Sequence, residues 1–184
     1  MILGLLEEQA GHFAEAARHA ARAQVLLPAG RRRELARLTY WLASLQEKAG
    51  DSGTAVESLR RLSRSEPPEA LPDEATGILG VPAAPDRAAL ILREGEILAG
   101  QGRWGEAASA YARAFDAGIG GNRAAFEYAR ALTRTGRRDD AKRATGVLER
   151  IAGSKQDDFW RKLAREALAG DRTQLTKTAK EGGT

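Results

Sequence analysis

Glycine recurs along this chain in one setting: Gly11, Gly50, Gly102, Gly136 and Gly170 each follow an apolar stretch of helical character. Their successive spacings are 39, 52, 34 and 34. A recurrence of this length means that one supersecondary unit is used several times, each copy covering the apolar face of the next. It restricts the fold more than any single motif does. The first two intervals are wider than the last two by 5 and by 18, as insertions between units would make them.

The residues around the glycines fall into columns. In EGEILAGQGRWGEAASAYARAFDAG, Gly95 lies seven before Gly102, Trp104 lies two after it, and Ala107, Tyr111 and Ala114 follow. In LGLLEEQAGHFAEAARHAARAQVLLP the matching residues are Gly4, Gly11, Phe13, Ala16, Ala20 and Ala23, closing on Pro28. A small residue seven before the turn lets two helices cross closely, and the turn glycine ends the first helix in a left-handed conformation. Alanines at three- and four-residue spacing form a narrow packing stripe on the second helix, which a proline then stops.

This pattern resembles the tetratricopeptide repeat, whose period equals the two shorter intervals. The second unit, around Ala43, Gly50, Ala55, Leu59, Leu62 and Pro67, has Ser52 where an aromatic is usual. The fourth, around Ala129, Gly136, Ala141 and Leu148, has Arg138 there and Thr145 in place of a large residue, so its second helix is expected to pack loosely. The resemblance implies an all-α fold, a right-handed α-solenoid of tetratricopeptide-type helical hairpins. Repeats are expected at about 1–30, 36–69, 88–121 and 122–155, with an insertion at 70–87, a capping helix at about 157–169 and a polar tail at 171–184. Pro72, Pro82 and Pro85 exclude one long helix from the insertion, although Asp73 to Leu79 would fit a short one. Gly4 falls in the middle of a first helix that should begin before Met1, so a clipped first repeat and a longer parent protein are expected.

Aromatic residues are only 5% of the 184, so alanine does much of the packing, which suits closely approaching helices. The 29 basic residues exceed the 25 acidic by four, and the two signs are mostly interspersed, as on solvated helix faces. That argues against nucleic acid as the partner. The opening MILGLLEEQAGHF has too short an apolar start for a membrane span and no basic leader, so a soluble chain is expected. The compartment stays open between a bacterial cytoplasm and periplasm, the bacterial setting being suggested by the Ala, Arg and Gly bias.

No catalytic set assembles. There is no cysteine, and His12 and His19 stand seven apart rather than at the four-residue spacing of a helical zinc site. Gly100, Gly102 and Gly105 spell G-x-G-x-x-G, but a dinucleotide site needs a strand before the glycines, and the repeat already accounts for them. The Arg31, Arg32, Arg33 run is expected in the five-residue insertion loop after Pro28, lacks interleaved aromatics and reads as solvated. No enzyme activity, cofactor or metal is therefore expected.

Tetratricopeptide solenoids hold a partner segment on a concave surface lined by first helices. The resemblance therefore implies groove-facing positions at Arg37, Tyr40, Ser44, Glu47 and Lys48 in the second unit, Leu92 and Glu96 in the third, and Arg123, Phe126, Arg130 and Arg134 in the fourth. Arg123, Arg130 and Arg134 share one helix face with Phe126 between them, the composition of a binding hot spot. The alternative is that Phe126 packs internally and the arginines pair with acids such as Glu127 and Glu96. Asn122 and Arg123 alone do not complete the set with which some family members read an acidic C-terminus. The expected function is a non-catalytic protein-interaction scaffold in a larger bacterial assembly or envelope machine, with a protein or peptide partner, and an acidic peptide is the sharper expectation. The other reading is a binder of an anionic polymer, polysaccharide or nucleic acid, through the same arginines.

Overall fold

Four glycines turn the chain between helices in the same way. Gly11, Gly50, Gly102 and Gly136 have φ of 80°, 84°, 73° and 72°, the left-handed region in which a side chain is strained. At Gly11, Gly50 and Gly102 the glycine N–H bonds the carbonyl three residues back and the next N–H bonds the carbonyl five back, to Glu8 and Glu7, Glu47 and Gln46, and Ala99 and Leu98. These are Schellman motifs, which satisfy the last carbonyls of a helix and reverse the chain within two residues. Gly118, with φ 67°, closes another with Phe115 and Ala114, so both ends of α6 are joined by this device.

The computed structural model describes residues 2–28, 31–64, 86–155 and 159–181, and the side chains of 32, 33 and 171–181 are not part of that description. Among the described residues all regular structure is helical: α1 (Ile2–Gln9), α2 (Phe13–Leu26), α3 (Arg32–Lys48), α4 (Ser52–Arg64), α5 (Arg87–Gly100), α6 (Trp104–Asp116), α7 (Gly121–Arg134), α8 (Arg138–Ala152) and α9 (Phe159–Glu181). The chain divides into two units, Met1–Ile97 and Leu98–Thr184.

In the first unit α1 packs on α2, α2 on α3 and α3 on α4. Ala16 and Ala20 of α2 are fully buried against Leu38, Trp41, Leu42 and Leu45 of α3, with Leu5 and Phe13 against the same cluster. The small residue expected at the crossing is there for a physical reason: a Cβ on Gly4 would stand 3.0 Å from Trp41 Cη2 and 3.2 Å from His19 Cβ. Trp41 is 1% exposed, and its indole N–H is satisfied by Glu8.

In the second unit α6 packs on α7, α7 on α8, α8 on α9, and α7 also meets α9. Alanine dominates the core: Ala107, Ala110 and Ala114 of α6 and Ala124, Ala129 and Ala131 of α7 are all buried. Tyr111 and Tyr128 supply the bulk, and Tyr128 meets Phe115 at 5.6 Å between ring centroids.

Three expectations change. The second helix of the fourth unit, α8, is not loose, since Ala144, Leu148 and Ile151 are buried between α7 and α9. Gly170 is not a turn. It lies inside α9, which runs on to Glu181 where a polar tail was expected from 171. A lone glycine costs a helix only about 1 kcal/mol relative to alanine, and no proline follows to stop it. The arginine run after Pro28 is not wholly in a loop either: α3 begins at Arg32, and Arg31 precedes it with Nη1 donating to Glu34 at 3.0 Å. The insertion, apart from Asp86 and Arg87, lies outside the described residues, as does the short helix expected within it.

Candidate functional site

The first unit gathers several of the expected groove residues. Tyr40, Ser44 and Glu47 follow one another at helical spacing along α3, and together with Ala43, Leu59, Arg93 and Ile97 they line a depression of about 220 Å³. Arg37 lies half-buried one turn before Tyr40. The polar centre is Arg93, whose Nη2 donates to Glu47 at 2.5 Å and whose Nη1 donates to Glu96 at 3.1 Å. Burial works to lower the Arg93 pKa, but the hydrogen bond to Glu96 and the charges of Glu47 and Glu96 outweigh it and hold the guanidinium above its ordinary value. The depression therefore has a fixed, charged floor with an aromatic side.

Two expected members of this set are elsewhere. Leu92 is 6% exposed and belongs to the core, because the apolar run Ala88 to Leu92 turns it inward. Arg93, the next residue, takes the position expected of Leu92. Lys48 faces the other way: its Nζ donates to Glu8 at 2.7 Å and stands 5.4 Å from the Phe13 ring, so it braces α3 against the first hairpin. Glu8 is held below its ordinary value; burial raises it, but hydrogen bonds from Lys48 and Trp41 and the charge of Lys48 lower it further.

A buried ion pair stands beside the depression. Glu94 is 1% exposed, and Arg60 Nε donates to its Oε1 at 3.1 Å while Arg60 Nη1 donates to Glu57 at 2.7 Å. The pair links α4 to α5 within the first unit.

In the second unit Arg123, Arg130 and Arg134 are exposed along one face of α7, with Phe126 half-buried between them. The arginines are engaged rather than idle. Arg130 pairs with Glu127 at 2.6 Å, and the Arg134 guanidinium sits 5.3 Å from the Trp104 ring. Phe126 packs on Trp160 of α9, 5.6 Å between centroids at 45°. The internal-packing reading of Phe126 and the pairing of Arg130 with Glu127 are thus both present on a face that still reaches solvent.

Two further depressions mark this unit. One, of about 210 Å³, has small residues of α6, Gly105, Ala108 and Ser109, opposite Arg137, which precedes α8, and Asp140 and Arg143 within it. Its charges are already matched, with Asp140 accepting from Thr135 at 2.7 Å and lying 3.3 Å from Arg137, and Arg143 donating to Tyr128 Oη at 2.5 Å. Burial pushes the Tyr128 hydroxyl above its ordinary pKa, with Arg143 opposing and Asp116 and Asp140 adding to the rise. The other, of about 350 Å³, is lined by Phe115, Ile119, Asn122 and Arg150, whose guanidinium lies 5.0 Å from the Phe115 ring.

The G-x-G-x-x-G spelling has the wrong context for a dinucleotide: Gly100 ends helix α5, Gly102 is the left-handed turn and Gly105 lies in the first turn of α6. Among the described residues no group of three or more acidic or histidine side chains is placed to hold a metal ion, and no helix is long and apolar enough to cross a membrane. Sequence reasoning passed over Arg93, and it gave Trp160 a place in the capping helix but no part in the site. Trp160 was legible in principle, since it follows Phe126 by one full period of the repeat, which is where a stacking neighbour falls. No protein-family model matches the chain, and no curated protein is similar to it in sequence.

Proposed function

We propose that the chain is a non-catalytic interaction scaffold, a right-handed solenoid of tetratricopeptide-type hairpins that holds a protein or peptide segment against its first helices. The observation that carries this reading is the depression around Tyr40, Ser44, Glu47 and Arg93. It combines an aromatic side with charges fixed by mutual hydrogen bonds, the preorganised mixture that anchors partner side chains at low entropic cost. The recurring Schellman turns at Gly11, Gly50 and Gly102 support the hairpin assignment. A bacterial multiprotein assembly or envelope machine is the setting that fits the composition.

Selection of a displayed random-peptide library on the full chain tests the reading. Enriched peptides should lose about tenfold or more in affinity to Tyr40→Ala, or to the double charge reversal Arg130→Glu with Arg134→Glu. A library that yields no sequence sensitive to either variant rejects it. The second reading, an anionic-polymer binder, is favoured by the run of exposed arginines on α7 and is separated by salt. Polyanion binding should weaken steeply as salt rises because counterions are released, whereas a groove with aromatic anchors should retain most of its affinity.

A further inference from the structure

An aromatic edge in the second unit is larger than α7 alone suggests. Phe159, the first residue of α9, is 65% exposed, the most solvent-facing aromatic among the large exposed apolar side chains. Its ring stands edge-on to Trp160, with centroids 5.3 Å apart and planes at 77°. Trp160 in turn meets Phe126 of α7. Three rings therefore run without a break from α7 to the start of α9. Leaving a phenylalanine in water forgoes the free energy of its burial, and holding it against a second ring fixes its position before any partner arrives.

The charge on the two helices that carry this edge is predominantly basic. Helix α7 carries Arg123, Arg130 and Arg134 against the single acid Glu127, and residues 159–170 of α9 carry Arg161, Lys162 and Arg165 against the single acid Glu166. Both acids already hold a cation of their own helix, Glu127 with Arg130 at 2.6 Å and Glu166 with Lys162 at 4.0 Å. The surplus on these two helices is positive, and the apolar edge lies within it.

We infer that the Phe126–Trp160–Phe159 edge is the apolar anchor of a docking face whose occupant is an acidic peptide segment carrying one bulky apolar side chain. The inference rests on the scaffold reading and adds to it the residues Phe159 and Trp160 and the chemistry of the partner. The carboxylates meet the α7 arginines, which read them bidentately, and the apolar side chain covers Phe159. Ring geometry favours a peptide over a nucleic acid. Successive bases need successive open ring faces, whereas Trp160 is half-buried with Phe126 and Phe159 both against it, which leaves one well-exposed ring.

The test uses the full chain and fluorescein-labelled dodecapeptides followed by anisotropy at physiological salt. One peptide has glutamates flanking a central phenylalanine, a second has glutamine for glutamate, a third has serine for phenylalanine, and an oligo(dT) of equal length serves as the polyanion. The first peptide should bind, and both altered peptides should bind about tenfold more weakly. Phe159→Ala and Arg123→Glu should each weaken the first peptide by a similar factor, with unchanged far-UV circular dichroism, since both side chains are exposed. Failure of the first peptide to bind, equal binding to Phe159→Ala, or tighter binding of oligo(dT) overturns the inference. Binding that survives Phe159→Ala but is lost in Tyr40→Ala overturns it while leaving the scaffold reading in place.

Discussion

Trp41 Nε1 donates to Glu8 Oε2 at 2.7 Å across 33 residues of sequence, and the same carboxylate takes Lys48 Nζ on its other oxygen at 2.7 Å. One side chain of α1 thus satisfies a buried indole and a lysine of α3. Glu8→Ala leaves the indole N–H without its acceptor and should cost about 1–3 kcal/mol of stability in the first unit. Glu8→Gln keeps an acceptor and should cost less. Urea unfolding followed by tryptophan fluorescence compares the two, and equal stability of Glu8→Ala and wild type contradicts the assignment.

The same carboxylate makes that contribution pH-dependent. Its folded pKa lies below the ordinary 4.5, so ionised Glu8 favours the folded state. The contribution is complete above the ordinary value and is lost as pH falls through the lowered one. The stability gap between wild type and Glu8→Ala should therefore stay constant from neutral pH down to about 4.5 and shrink only below it. A gap that narrows with rising pH has the wrong sign.

Glycine substitutions should separate into three outcomes. Gly102→Ala meets no atom within 4 Å but is forced to φ +73°, so its cost is conformational, about 1–2 kcal/mol. Gly4→Ala has an ordinary helical backbone but drives a methyl to 3.0 Å from Trp41, so its cost is steric. Gly146→Ala has helical backbone and open space, and should stabilise by about 0.5–1 kcal/mol. Thermal melts of the three variants check the order, and a stabilising Gly102→Ala breaks it.

Arg60→Ala removes a guanidinium from Glu94, a carboxylate that is 1% exposed. Loss of one member of a fully buried pair costs roughly 3–5 kcal/mol, and Arg60 reaches solvent with a quarter of its side chain, so about 2–3 kcal/mol is expected. Chemical denaturation measures it. Glu94→Gln, which removes the charge but keeps the hydrogen-bonding shape, should be the milder change.

Much of this architecture is written in the spacing of small residues. A glycine that must adopt positive φ cannot be replaced cheaply, so Gly11, Gly50, Gly102 and Gly136 mark turns that anyone can count. The face of α5 was harder because five apolar residues stand in a row from Ala88 to Leu92, and such a run does not say which residue faces out. The reading fell one residue short of Arg93. Gly170 misled for the opposite reason: a glycine can end a helix or be tolerated inside one, and its spacing alone does not say which. Lys48 carries the general lesson for the site. Its position on α3 is compatible with the groove, but its partner Glu8 is 40 residues away, and long-range pairing is not expressed in periodicity.

The Schellman turns have a kinetic consequence. Those at Gly11, Gly50 and Gly118 each close a packed pair of helices that are neighbours in sequence, α1 with α2, α3 with α4 and α6 with α7, so these contacts form without first ordering a long loop. Chains with such local contact maps fold in about microseconds to milliseconds, and any hairpin with a left-handed glycine already in place is a starting point. The glycines that shape the folded backbone therefore also set where folding begins, and a substitution at one of them should register in the refolding rate as well as in stability.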